Sequence, residues 1–207
     1  MLYFCELNIR NIVMSGSQIK KADVLLSIYQ NSSSVFRLRD IALLTGITSR
    51  QLLSARLNYY VRNGKLQNPR KGIYTKANYS PDELACKLFA PSYISLEYVL
   101  QKSGVIFQFD AAISSVSYLR RSIAVDKQSY TFRKIKSEIL VNDAGINRLP
   151  NGVNIASPER SLLDLLYLNA GAWFDNTHSI DLKKVKALLP LYQSVALAAR
   201  AKKILEL

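Results

Sequence analysis

Apolar residues near the start of the chain recur at helical spacing in three successive runs, each closed by a polar or glycine break. In KADVLLSIYQ, Val24, Leu25, Ile28 and Tyr29 share one face, and NSSS ends the pattern. VFRLRDIALLTG gives a second stripe of Phe36, Leu38, Ile41, Ala42 and Leu44, ending at Thr45-Gly46, where glycine can take the left-handed conformation that closes a helix. Ile47 then faces inward. Thr48 and Gln51 have capping-box spacing, so a third helix is predicted from there through Val61 to a stop at Gly64. Its inner face is Leu53, Leu57, Tyr60 and Val61; Gln51, Ala55, Asn58 and Arg62 follow one another on the opposite side. Beyond it, Lys65 to Gln67 and Ile73 to Thr75 are predicted to pair as a hairpin across the tip Asn68-Pro69-Arg70-Lys71-Gly72.

The polar segment TKANYSPDE divides the chain near Asn78, separating residues 20–78 from residues 79–207. In the second part, Pro81 to Phe89 reads as a short helix, and Ser95 as the cap of another from Leu96 to Lys102. Ile113 to Tyr118, Arg121 to Val125 and Ser129 to Ile135 are predicted as strands of an antiparallel meander, and Val153 to Ala156 as a further short strand. Ser157-Pro158-Glu159 is a helix start with a capping hydroxyl, proline at the first helical position and a carboxylate at the positive end. The following SLLDLLYL is apolar nearly all round and belongs in a core, with Glu159, Arg160 and Asp164 read as a cap and as surface or interdomain ion pairs. Residues 181–205 read as two basic amphipathic helices split at Pro190, packing through Val185, Leu188, Leu189, Val195, Leu197, Ile204 and Leu205. Lys183, Lys184, Lys186, Arg200, Lys202 and Lys203 are left exposed, either as a solvated face or as a second contact to an anionic surface. The fold class expected is α+β: an N-terminal winged helix-turn-helix followed by a mixed α+β domain with a β meander and C-terminal helices.

Charge changes what these elements imply. The chain of 207 residues carries a net +13, and residues 1–78 hold 12 Lys and Arg against 3 Asp and Glu. A basic surplus concentrated in the helical and hairpin segment favours a polyanionic partner, nucleic acid first. Cys5 and Cys86 are the two cysteines and His178 the single histidine, which disfavours a disulfide framework and structural zinc and fits a reducing cytoplasm. No apolar run reaches membrane-spanning length, so no membrane partner is expected. Residues 1–19 are read as a flexible N-terminal extension, with Met14 as an alternative start.

The third helix and the hairpin supply candidate DNA contacts: Thr48, Ser49, Arg50, Gln51, Ser54, Asn58 and Arg62 on the helix, and Arg70 and Lys71 on the tip. Small polar groups and cations at a helix start suit base edges and phosphates in a major groove, while cations on a wing suit the adjacent backbone. An enzymatic alternative is a metal-dependent nuclease using Asp110, Lys136 and Glu138, but the acid, then acid-x-Lys order is missing. No nucleophile triad around His178, phosphate loop or dinucleotide fingerprint is present, so no cofactor and no catalysis are expected.

The run TGITSRQLLSARLNYYVRNGKLQNPRKGIYTK, followed by PSYISLEYVL and later IASPERSLLDLLYL, resembles the AbiEi-type antitoxins of type IV toxin–antitoxin systems over about residues 20 to 170. The resemblance implies an N-terminal winged helix that binds double-stranded operator DNA and represses its own operon. It also implies a C-terminal domain that opposes a cognate nucleotidyltransferase-like toxin in a bacterial cytoplasm. A stand-alone regulator with a ligand-sensing C-terminal domain is the alternative that shares the DNA-binding unit.

Overall fold

A computed structural model of the chain describes residues 23–108 and 110–206. The extension expected over residues 1–19 lies outside them. The fold is α+β, with helices and two sheets.

The N-terminal part begins with α1 (Val24–Gln30), capped by the Asp23 carboxylate, which accepts from the Leu25 N–H. Next come strand β1 (Val35–Arg37), helices α2 (Leu38–Thr45) and α3 (Arg50–Arg62), and strands β2 (Gln67–Arg70) and β3 (Ile73–Thr75). The strand at Val35–Arg37 corrects the sequence reading, which carried Phe36 into the second helix. Val-Phe-Arg pairs antiparallel with β3, opposite Thr75, Tyr74 and Ile73, and the helix begins only at Leu38, where the Asp40 carboxylate accepts from the Arg37 N–H at 3.0 Å. Gly46, at φ 68°, closes α2 as expected. Val24, Ile28, Phe36, Ile41, Leu53 and Leu57 meet in one buried cluster beneath these elements.

Two local details also depart from expectation. The cap of α3 is Ser49, whose hydroxyl accepts from the Leu52 N–H at 3.3 Å; Thr48 precedes it and Gln51 stands in the first turn. The hairpin tip shrinks from five residues to Lys71-Gly72, with Gly72 at φ 80° and Arg70 opposite Ile73 inside the ladder. Pro69 has no N–H to give that ladder, and the Asn68 amide supplies a bond instead, donating to the Ile73 carbonyl at 2.6 Å. Leu66 is not in a strand but buried in the helical cluster.

The larger part is built on a six-stranded sheet in the order β6-β7-β5-β4-β9-β8. Its strands are β4 (Ser92–Ile94), β5 (Ile113–Ser117), β6 (Arg121–Val125), β7 (Gln128–Lys134), β8 (Ile146–Arg148) and β9 (Asn154–Ala156). The antiparallel meander is corrected: β6 and β7 form a hairpin, but β5 runs parallel to β7 and does not pair with β6. The burial pattern gives the reason, since β6 is largely exposed and takes the edge, while Tyr130 and Phe132 of β7 are fully buried and take an inner position. Successive residues enter opposite layers. Tyr93 and Ala156 face one cluster with helices α5 (Glu97–Lys102), α7 (Pro158–Leu168), α8 (Leu182–Leu188) and α9 (Val195–Leu205); Ile94 and Ile155 face the other, with α4 (Pro81–Leu88). A short helix α6 (Ser137–Val141) follows β7, and a 3-10 turn over Leu189–Tyr192 carries Pro190 between α8 and α9.

The α4 cluster does not stop at Asn78. Val35 and Ile73 of the small sheet pack into it beside Leu84, Ala85 and Ile94. The buried Glu83 carboxylate of α4 accepts from the Ser34 and Val35 N–H groups through Oε2 and from the Asn151 amide through Oε1 at 3.1 Å. Lys87 bridges to Asp40 at 2.8 Å, and Arg37 Nε donates to the Lys87 carbonyl at 2.7 Å. The junction is thus an apolar contact surrounded by hydrogen bonds.

The all-round apolar helix α7 starts at Pro158 with Ser157 as its cap and lies in the core, as its pattern implies. Its charged residues do not reach the surface, which corrects their assignment to surface or interdomain pairs. Arg160 and Asp164 are both 0% exposed and pair at 3.2 Å. Asp164 also accepts from the hydroxyls of Tyr192 (2.6 Å), Ser95 (2.8 Å) and Tyr93 (3.0 Å), while Arg160 donates to the Ala144 and Ile139 carbonyls at 2.8 Å each. Ser95 therefore does not cap α5 but serves this network; the residue before α5 is Leu96. Burial raises the Asp164 carboxyl above the usual carboxylate range, and the Arg160 charge and three hydroxyls act against it. The lone pairs and N–H groups of this buried pair are satisfied from distant parts of the chain, so loss of either partner would leave the other charge buried and uncompensated. At the C-terminal end, Val195 is 88% exposed rather than packed, and Arg200 donates to the Leu166 carbonyl at 2.8 Å rather than standing free.

Candidate nucleic-acid interface

Helix α3 presents the surface that its periodicity predicts. Leu53 and Leu57 are buried and Tyr60 and Val61 half-buried, while Gln51, Ala55, Asn58 and Arg62 are exposed. Thr48, Ser49 and Arg50 are exposed at its N-terminal end, and Ser54 is half-buried. The unpaired N–H groups and dipole of that end add positive potential to the Arg50 charge.

Four elements line an open concavity of about 550 Å³: the start of α2, the start of α3, the β2–β3 turn and the end of α4. It gathers Thr48, Arg50, Arg70 and Lys71 from the predicted contacts; Ser49, Gln51 and Ser54 do not line it, and Asn58 and Arg62 lie outside, toward the other end of α3. Lys71 is exposed in the turn. Arg70 is not at a projecting tip; it is half-buried on β2, with its guanidinium 5.5 Å from the centre of the Phe89 ring. Aromatic contact of this kind holds an arginine in place without neutralising it.

Three more cations line the cavity that sequence reading did not single out: Arg37, Arg39 and Lys87. Nothing local marks them. Arg37 and Arg39 flank a strand-to-helix boundary that periodicity misplaced, and Lys87 belongs to a helix beyond the junction. Among the described residues the carboxylate bonded to this group is Asp40, held between the Lys87 ammonium and the Arg37 N–H, with Arg39 Nε at 3.7 Å. Burial works against the Asp40 charge, yet those two donors outweigh it and keep the carboxyl below its usual range. Burial, with the neighbouring Arg39 charge, lowers the Arg37 guanidinium. The result is a concave surface with cations on its walls and Leu38, Ala42, Ile47 and Leu88 among its apolar lining.

The residues weighed for nuclease chemistry are not brought together. Asp110 lines a cleft with Glu97 and Asp175, whereas Lys136 and Glu138 line a different one beside Tyr192. Among the described residues, no group of three or more His, Cys, Asp or Glu side chains could hold a metal ion. His178 is exposed in a loop, and Cys86 is buried, its thiol pushed up to about 11 by that burial. No helix among the described residues is long and apolar enough to cross a membrane. The exposed lysines of α8 and α9 sit on the helical layer across the six-stranded sheet from α4, away from the cavity. A scan of the chain against protein-family models finds no match, and neither does a search of curated proteins.

Proposed function

We propose that residues 20–78 act as a winged helix-turn-helix, with α3 as the recognition helix and the β2–β3 hairpin as the wing, and that the protein binds double-stranded operator DNA to repress its own operon. The observation that carries this reading is the convergence of the α3 N-terminus and the hairpin turn on one cationic concavity. Arg50 and Lys71 stand on its rim beside an exposed polar stripe. Phosphate contacts through Arg50, Arg70 and Lys71 position the protein; Gln51, Ser54 and Asn58, with Ser49 at the helix start, then face base edges in the major groove. Arg62 reaches the backbone from the far end of the helix.

Residues 79–207 serve, in this proposal, as the antitoxin domain of a type IV toxin–antitoxin system that counters a nucleotidyltransferase-like toxin. Sequence resemblance supports that half, and co-expression with a nucleotidyltransferase-like neighbour gene tests it through rescue of growth. The DNA-binding half is tested by fluorescence anisotropy with the duplex upstream of the gene and a scrambled duplex. Asn58→Ala lowers discrimination between them by ~1 to 3 kcal/mol if its amide reads a base. Equal loss on both duplexes assigns Asn58 to the backbone instead.

A further inference from the structure

We infer that the cavity between α2, α3, the hairpin turn and α4 is also the receptor site for a free nucleoside phosphate, and that occupation of this site excludes DNA. A duplex backbone presents phosphates on a convex surface, which meets the rim cations but does not descend into a concavity. The cavity of about 550 Å³ lies within the size range of small-ligand sites. Its lining mixes two chemistries. Leu38, Ala42, Ile47 and Leu88 provide apolar surface that a phosphodiester backbone has no reason to cover, and a base with its sugar does.

The cations suit the same ligand. Four of the six are arginines, Arg37, Arg39, Arg50 and Arg70, whose planar guanidinium groups both fork onto phosphate oxygens and stack on a base. Among the described residues, Arg37 makes its hydrogen bond from Nε to the Lys87 carbonyl, which leaves both Nη groups for an anion. Lys87 and Leu88 come from α4, beyond the Asn78 junction, so a ligand held here touches the recognition helix, the wing and the larger part of the molecule at once. Arg50, Arg70 and Lys71 cannot serve a bound triphosphate and a DNA backbone together, and the two ligands compete. The competition rests on the proposed DNA-binding reading; the nucleotide site does not.

Calorimetric titration of the full chain with ATP, adenosine and inorganic triphosphate, without DNA present, tests the site. ATP binds at least tenfold more tightly than either fragment, because charge and apolar body are both recognised. Arg37→Gln weakens ATP at least fivefold, and Ala42→Phe, which keeps every cation and fills the apolar recess, abolishes ATP binding while the thermal melt shows a folded protein. Lys203→Gln, on α9 away from the cavity, leaves ATP affinity unchanged. ATP held at ten times its dissociation constant then raises the apparent DNA dissociation constant about elevenfold. Triphosphate binding as tightly as ATP, ATP binding undiminished by Ala42→Phe, or no ATP binding at millimolar concentration overturns the site. ATP binding without any change in DNA affinity overturns the exclusion. A protein that binds ATP but no DNA contradicts the DNA-binding proposal and leaves the site standing.

Discussion

Glu83 joins the two sides of Asn78 through buried hydrogen bonds to Ser34 and Val35, and its removal has a calculable cost. The carboxylate lies at 4% exposure and accepts two backbone N–H groups of the β1 segment together with the Asn151 amide. Glu83→Ala takes the acceptor from three donors in a site that water reaches poorly, and a buried donor left unsatisfied costs ~1 to 3 kcal/mol. Water entering the vacated volume recovers part of this, so the expected loss is ~3 to 5 kcal/mol, below the sum for three fully unsatisfied donors. Glu83→Gln keeps one acceptor oxygen for the Ser34 and Val35 N–H groups but points an NH2 group at the Asn151 amide, for an expected loss of ~1 to 2 kcal/mol. Urea unfolding followed by far-UV circular dichroism and by near-UV circular dichroism, to which the buried Tyr74 and Tyr130 contribute from the two sides of the junction, measures both. Because Val35 and Ile73 share a cluster with Leu84 and Ile94, the two signals should coincide in one transition for the wild type. A loss under about 0.5 kcal/mol for Glu83→Ala, a value typical of ordinary surface changes, or two separated transitions in the wild type, refutes the reasoning.

Other substitutions probe smaller features. Ser49→Ala removes the hydroxyl that caps α3 and should cost ~1 kcal/mol in urea unfolding, whereas Thr48→Ala should cost only a few tenths, the reverse of the ranking expected from the T-x-x-Q spacing. Asp40→Asn should destabilise at pH 7 by ~1 to 2 kcal/mol, the worth of hydrogen bonds to a charged group. The folded Asp40 carboxyl is held below its ordinary value, so its contribution is present at neutral pH and down to about pH 4, the unfolded value. It disappears as the pH falls further through the folded value. The difference between wild type and Asp40→Asn should therefore close in acid unfolding below about pH 4; a constant difference there removes the ion from the explanation.

The inner and outer faces of α3 were legible because 3.6-residue spacing needs no knowledge of partners: Leu53 and Leu57 are buried and Asn58 and Arg62 exposed where the periodicity puts them. Ser157-Pro158 and Gly46 likewise mark helix ends through their own backbone preferences. Pairing was less accessible. A run such as Tyr130 to Phe132 declares a strand, but its two neighbours are chosen by chain segments before it, and the parallel partner Ile113–Ser117 leaves no local trace. Charge misled in α7, where Arg160 and Asp164 are tolerated inside because Tyr93, Ser95 and Tyr192 arrive from elsewhere to satisfy them. For the candidate site, the rim residues were visible as a polar helix start and a basic hairpin. The inner wall was not, since Lys87 joins it only through the packing of α4 against β1.

The salt dependence of binding to a duplex tests the central claim most directly. Arg39, Arg50, Arg62, Arg70 and Lys71 stand on or beside the α3–hairpin surface, and five phosphate contacts give a log–log slope of affinity against salt of about −4.5. Replacing Arg50 and Lys71 together with Ala should flatten the slope to about −2.7 while the urea transition stays in place. A slope near zero for the wild type, or one that the double substitution leaves unchanged, contradicts DNA binding through this surface.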